Sequence, residues 1–319
     1  MISSRSRQVV GWIAVGCSTL VASVWAFWGI IENFHEGWYC ESLGQNLGLM
    51  FGQYLGFPLA FVAVALLAIA RPRWGFWAHV LIAVLLVIFL RPLYRTTITL
   101  LSGPLLILGT LYWLGRPLPQ KWAYALVVGL PVLTLLASGA EPAWRVLGRF
   151  NDGDLQARVI QGNGVTLIWA PEGPGWPRDG VSWQQALKSC SYLAEDGKTL
   201  ASTPQIIWRL PTVDEAVRSM VRHGKNSGGV WNPRTAHPWY WITPDKESPL
   251  WNVHSGVIYW WTSTEVDSER AYIVVYNGRV YPRKKQVRRG YLGFRAVKTL
   301  QQAAAAKQRA ARSRFALVK

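Results

Sequence analysis

A bundle of about five membrane-spanning helices followed by a water-soluble α+β domain is the architecture this sequence predicts, and three observations predict it. Half of the 319 residues are hydrophobic and the mean hydropathy is +0.13, unusual for one soluble domain of this length. The apolar residues concentrate between Val9 and Ala140, whereas most charges fall after Glu141. Beyond that point the apolar residues recur at strand and helix periods in short runs, separated by Gly, Pro and Asn turns. The expected divisions are 1–140 as the transmembrane region, 141–298 as a linker and soluble domain, and 299–319 as a basic Ala-rich tail.

A spanning helix needs about 20 apolar residues at 1.5 Å each to cross roughly 30 Å of hydrocarbon. Five runs come close: Val9–Ile31, Leu49–Ala70, Trp74–Leu90, Thr97–Leu114 and Trp122–Ala140. The first is 23 residues long and ends at Glu32-Asn33 without a small-residue cleavage site, so it reads as a retained anchor rather than a cleaved signal. Arg71-Pro72-Arg73 separates the second from the third, because an Arg at mid-bilayer costs about 2.5–3.5 kcal/mol on the insertion scale. Arg91-Pro92 and Arg95 end the third run, and Gly115-Arg116-Pro117 through Lys121 end the fourth. Those two runs are short, which leaves a merged or re-entrant hairpin open as the alternative.

Orientation follows from basic residues in short loops. With a cytoplasmic N-terminus the inner side receives Arg5, Arg7, Arg71, Arg73, Arg116 and Lys121, and the outer side only Arg91 and Arg95. An odd number of crossings then puts residues 141–319 outside the cytoplasm, consistent with an integral protein of a bacterial inner membrane. Within the spans the one ionisable side chain is His79, with Gln53 as a candidate polar neighbour. A single histidine near an arginine-flanked end reads as interfacial and hydrogen-bonded, not as a cofactor ligand. Trp residues gather near span ends, as amphipathic rings do at the headgroup level. Gly-Pro pairs such as Gly103-Pro104 suit broken transporter helices and plain spanning helices alike. An anchoring or docking bundle is the reading of this half.

The region from 141 onward holds 26 of the 34 Lys and Arg and 14 of the 17 Asp and Glu, so it is strongly basic and suits acidic partners. Three scattered cysteines, Cys17, Cys40 and Cys190, make neither a disulfide framework nor a zinc site. Residues 141–164 read as a linker and the first edge of the domain, and Gly164–Ala170 as a strand before the Pro/Gly loop 171–180. Ser182 caps a helix whose inward face is Trp183, Ala186, Leu187, Cys190 and Leu193. Thr212 with Glu215 three residues on is a capping box, so a helix should run from there to about Arg222. Tyr259–Glu265 and Ala271–Tyr276 read as strands, with Asn277-Gly278 turning into a further strand at Arg279–Tyr281. Gly293–Lys298 closes the domain as one more strand.

The ordered set Trp183-x-x-Ala-Leu-x-x-Cys190, Trp208-Arg209-Leu210-Pro211-Thr212-x-x-Glu215, Tyr259–Thr264, a hairpin, and Phe294–Lys298 resembles the Lcl C-terminal domain family, named for a bacterial collagen-like adhesin. The resemblance covers roughly 151–298 and implies the C-type-lectin-like fold, shared with formylglycine-generating sulfatase-modifying domains. It departs in two places. Members often carry a cysteine where this chain has Ala296, which leaves Cys190 without that partner. Calcium-dependent lectins use Trp-Asn-Asp and Glu-Pro-Asn, while Trp231-Asn232-Pro233 and Trp251-Asn252-Val253 lack the acidic ligand that a hard cation needs. No metal and no cofactor is expected.

Trp183, Trp208, Arg209, Leu210, Pro211, Thr212 and Glu215 read as a structural motif, since the capping box already explains their spacing. Function is expected in the long aromatic loop His223–Val257, with Trp231, Trp239, Tyr240, Trp241, Trp251 and His254 as ligand-binding candidates. Arg283, Lys284, Lys285, Arg288 and Arg289 join them as the cations that attract an acidic ligand. The function expected is a non-enzymatic, membrane-anchored binding module for an acidic glycan or envelope protein, the resemblance adding that the adhesin's domain is associated with sulfated glycans. The alternative is an accessory subunit of a larger membrane assembly, of like or unlike chains. An oxidase of the formylglycine-generating kind would need a second cysteine to hold copper. Nucleic-acid binding by the basic run and by Lys307, Arg309, Arg312 and Arg314 of the tail would need a cytoplasmic domain, and is not expected.

Overall fold

A computed structural model describes residues 3–89, 95–174 and 180–301, with the side chains of residue 89 and residues 95–101 left out. The Arg91 and Arg95 side chains, the middle of the 171–180 loop and the tail cations therefore lie outside the described residues. The chain divides into two compact units, Met1–Leu147 and Gly148–Lys319.

In the helical unit, α1 (Ser4–His35), α2 (Leu43–Leu49), a π-turn (Met50–Tyr54), α3 (Gly56–Ala70), α4 (Pro72–Phe89), α5 (Arg95–Leu114) and α6 (Gln120–Leu147) follow in order. Among the described residues each expected run falls on helix, with a break at Leu55. Among the described residues, α1 and α6 are long and apolar enough to cross a membrane, at 32 and 28 residues. A third qualifies if α2 and its π-turn are joined to α3 across their 62° bend. The run Leu49–Ala70 is thus not a straight rod, because a wide π-turn ends at Leu55 and redirects the chain. Small residues Ala14, Ala65, Ala68 and Ala123 let the helices meet around Val15, Ile69 and Tyr112. The outward faces remain apolar, with Leu20, Val24, Phe27 and Trp28 exposed on α1 and Leu126, Leu133 and Leu136 on α6. An exposed belt of that kind suits hydrocarbon rather than water. His79 is buried, with Nδ1 2.8 Å from the Gly75 carbonyl one turn back on α4. Helix α6 runs on through Leu147, so the boundary lies there and not in a linker starting at Glu141. Glu141 and Arg145 pair at i,i+4 on that last stretch, which helps it stay helical.

The second unit is β-rich. Its elements are β1 (Arg158–Gln161), β2 (Thr166–Trp169), α7 (Trp183–Tyr192), α8 (Val213–Ser219), β3 (Val221–Arg222), β4 (Lys225–Asn226), β5 (Val230–Asn232), β6 (His237–Trp239), β7 (Tyr259–Glu265), β8 (Arg270–Val275), β9 (Val280–Lys284), β10 (Leu292–Gly293) and β11 (Val297–Thr299). A three-stranded sheet, β1-β2-β11, joins the beginning and end of the unit, with Val297 opposite Trp169. A four-stranded sheet, β10-β7-β8-β9, forms the centre. Side chains alternate across a strand, so Trp260 and Val274 enter one core cluster with α8 while Trp261 and Ile273 enter the other with α7.

Both helices start as their spacing predicts: Ser182 with Gln185, and Thr212 with Glu215, form complete capping boxes. Helix α8 stops at Ser219, earlier than Arg222. Val221 and Arg222 instead pair with Asn226 and Lys225 around His223 and Gly224, both of positive φ. The expected strand Gly293–Lys298 is two strands, broken at Arg295. That guanidinium is buried and donates to the carbonyls of Ala170 (2.6 Å), Pro249 (2.7 Å) and Leu250, which a regular strand could not arrange.

Candidate functional site

The segment 223–257 is not one loop. Strands β5 and β6 make a hairpin in which Val230 faces Trp239 and Trp231 faces Pro238. Trp231 is half-buried and meets Tyr272 of β8 edge-on at 5.3 Å, so the hairpin lies along the central sheet. Tyr240 is half-buried too, and its hydroxyl donates to the Gly278 carbonyl at 2.9 Å. Burial pushes its pKa up, which keeps that donor protonated. Gly278 has φ +80°, and a Cβ there would lie 2.6 Å from the Tyr240 ring, so the Asn277-Gly278 turn suits glycine twice over.

Held between these anchors, Trp239 and Trp241 point outward. Their rings stand edge to face at 4.8 Å and are 52% and 76% exposed. Val230 and Ile242 are exposed beside them in sequence and register. His254 is exposed as well.

Trp251 has a different place from the one expected. It is 2% exposed and stacks on Trp260 with centroids 3.4 Å apart, so it belongs to the core. A large flat ring between Trp260 and Tyr276 gains more from burial than from solvent. Lys285 is also removed from the surface set. It is buried over the Trp183 ring at 4.7 Å, pairs with Glu265, and donates to the carbonyls of Asp267 and Ser268 at 2.9 Å each. Arg283 is half-buried, 5.9 Å above Tyr259, and Arg288 donates to the Gly180 carbonyl at 3.2 Å. Lys284, Arg288 and Arg289 remain exposed. They lie at or beyond the far end of β9, whereas Tyr240 is anchored at its near end, on the turn that carries Arg279. Arg279 is exposed and lies 3.5 Å from the Tyr281 hydroxyl. Together with Arg234 on the β5–β6 turn it is a cation that sequence reasoning passed over, although Arg279 follows the Asn-Gly signal directly.

Within the motif Trp183 to Glu215 the apolar members are buried, whereas Arg209, Thr212 and Glu215 are half-buried. Trp183 donates to the Thr262 carbonyl and Trp208 to that of Ala194, both at 2.8 Å, and Leu210 and Pro211 are buried. Arg209 grips Glu215 with bonds of 2.7 and 2.6 Å. Cys190 is buried, and burial raises its thiol pKa.

Sequence reasoning also missed Asp245-Lys246-Glu247, three consecutive charges that are all buried. Asp245 takes Arg149 at 2.9 Å and Arg222 at 2.7 Å, and Glu247 takes Arg222 at 3.3 Å and the His223 backbone N–H. The Lys246 ammonium reaches the Ser255 carbonyl, and burial first, then Arg149, pull its pKa down to about 7 against the pull of Asp245. The cluster pins 240–257 to the core. No local pattern signals it, because its partners are distant in sequence. Asn232 and Asn252 accept from backbone N–H groups of their own turns, and Asn252 donates to Glu172 at 2.9 Å. Among the described residues no group of three His, Cys, Asp or Glu side chains is arranged to hold a metal ion. No family model, curated protein or solved structure matches the chain.

Proposed function

We propose that this chain is a membrane-anchored, non-enzymatic binding protein whose β-rich unit holds an acidic glycan against Trp239 and Trp241. The exposed, edge-to-face pair carries the reading. Two large rings left in water and braced by Tyr240 are a surface that gains free energy when a flat apolar face covers them. Arg279 and Arg234 supply positive charge on the neighbouring turns, with Lys284, Arg288 and Arg289 as a second basic stretch farther along.

In this reading the five apolar helices all cross or enter the membrane, the N-terminus is cytoplasmic and the β-rich unit lies outside the cytoplasm of a bacterial cell. The distribution of loop arginines supports that orientation. The β-rich unit is taken as C-type-lectin-like. Support comes from the sheet that joins its first and last strands, from one helix on each face of the central sheet, and from Cys190 and Ala296 sharing one core cluster, as the cysteines often found at these two positions in the family would. One observation favours a second reading, an accessory subunit: Val230 and Ile242 widen the exposed apolar patch, which a protein partner would cover.

The test is binding of the full-length, detergent-solubilised protein to sulfated and uronic-acid glycans at several salt concentrations. Trp239→Ala and Trp241→Ala should each weaken binding roughly two- to tenfold at every salt, the range of an aromatic contact. Arg279→Gln should weaken it chiefly at low salt, because the screening length falls from about 10 Å at 0.1 M to about 3 Å at 1 M. Trp251→Ala should instead cost about 3–5 kcal/mol of stability as a core truncation. If no acidic glycan binds at low salt, the subunit reading takes its place.

A further inference from the structure

A pocket of about 720 Å³ opens where the start of α1, the α3–α4 joint and the α5–α6 joint meet within the helical unit. Arg7, Arg71, Arg73 and Arg116 line it, and no Asp or Glu does. Among the described residues none of these four guanidinium groups pairs with a carboxylate. The unit's four acidic residues are elsewhere: Glu32 is about 37 Å along α1 from Arg7 at 1.5 Å per residue, Glu36 and Glu41 follow the same far end of α1, and Glu141 is engaged by Arg145.

The three segments are fastened to one another, so the cluster is built and not a chance meeting of long side chains. The Arg116 N–H donates to the Arg7 carbonyl at 2.8 Å. Gln8 and Trp12 both donate to the Leu118 carbonyl, at 2.7 and 3.1 Å, and Gln120 donates to that of Ile69 at 3.0 Å. Backbones meet so closely that a Cβ on Gly115 would lie 2.3 Å from the Gly11 nitrogen. Four like charges held around one cavity repel each other until an anion enters. Guanidinium forks match the oxygens of a phosphate in particular. Trp74 and Trp113 stand on the wall, 65% and 42% exposed, as rings at a membrane interface do.

We propose that this pocket binds a phosphate-bearing anion, either the headgroup of an anionic phospholipid or free inorganic phosphate, with Arg7, Arg71, Arg73 and Arg116 as its donors. The site is independent of the glycan surface. The full-length protein is placed in nanodiscs or detergent with phosphatidylglycerol or with phosphatidylcholine, each with and without inorganic phosphate, and retained lipid is counted by native mass spectrometry alongside thermal unfolding. Preferential retention of phosphatidylglycerol, unchanged by inorganic phosphate, supports the proposal with lipid as the source. Stabilisation by inorganic phosphate alone, with displacement of the lipid, supports it with the free ion as the source. Affinity should fall about fivefold for each arginine removed in Arg71→Gln and Arg73→Gln, whereas Arg5→Gln with Lys121→Gln, both outside the lining, should change little. Equal retention of both lipids with no response to phosphate overturns the proposal. So does an equal effect of the pocket and control changes. The lipid comparison on the unaltered protein decides the matter even if the pocket variants fail to fold.

Discussion

The Arg209 guanidinium holds both Glu215 oxygens, while the Thr212 backbone N–H donates to the same carboxylate at 2.8 Å. Burial works to raise the Glu215 pKa, but the Arg209 and Thr212 hydrogen bonds outweigh it and hold the carboxyl below its ordinary value of 4.5. A depressed pKa means the folded state gives up the proton more readily than the unfolded one. The resulting stability is present above pH 4.5 and is lost as pH falls through the lower folded value. Denaturant unfolding measured between about pH 3 and pH 7 should therefore show Glu215→Gln less stable at neutrality, with a shallower loss toward acid. An acid limb identical to that of the unaltered protein would rule out a contribution from this charge. The Thr212–Glu215 capping box was legible in sequence because its two residues are three apart, whereas the Arg209 partner was not. Nor was the place of Lys285, since its partner Glu265 is two strands away, on β7, and its burial depends on the Trp183 ring.

Helix α8 has only seven residues, too few to be stable alone, so its cap and its packing must hold it. Thr212→Ala should reduce the local stability of α8 by about 0.5–2 kcal/mol, read as faster amide exchange of Val213–Ser219 in the full-length protein. Unchanged exchange would mean that packing against β7 and β8 alone suffices. Starts of helices and the Asn277-Gly278 turn were readable because caps and turns are set by neighbouring residues. Ends were less so. Helix α8 yields to β3 at Val221, α6 continues past Glu141, and the second apolar run bends at a π-turn, each decided by what the segment packs against.

For the whole molecule, the six-to-two distribution of loop cations predicts that a reporter fused after Lys319 lies outside the cytoplasm. Alkaline phosphatase should be active there and a cytoplasm-dependent fluorescent protein dark; the reverse result would remove the extracellular glycan reading while leaving the arginine pocket untouched. By itself the sequence determined the division into an apolar helical part and a basic β-rich part, the places where helices begin, and the central hairpin. Those features rest on hydropathy summed over a run and on contacts within a few residues. Tertiary structure alone decided that Trp251 is core while Trp239 and Trp241 face water, and that Lys285 and Arg295 are internal. It also gathered Arg7, Arg71, Arg73 and Arg116 around one cavity. Each of these depends on partners far apart along the chain, such as Arg295 and the Ala170 carbonyl 125 residues away, whose meeting no local period or propensity encodes.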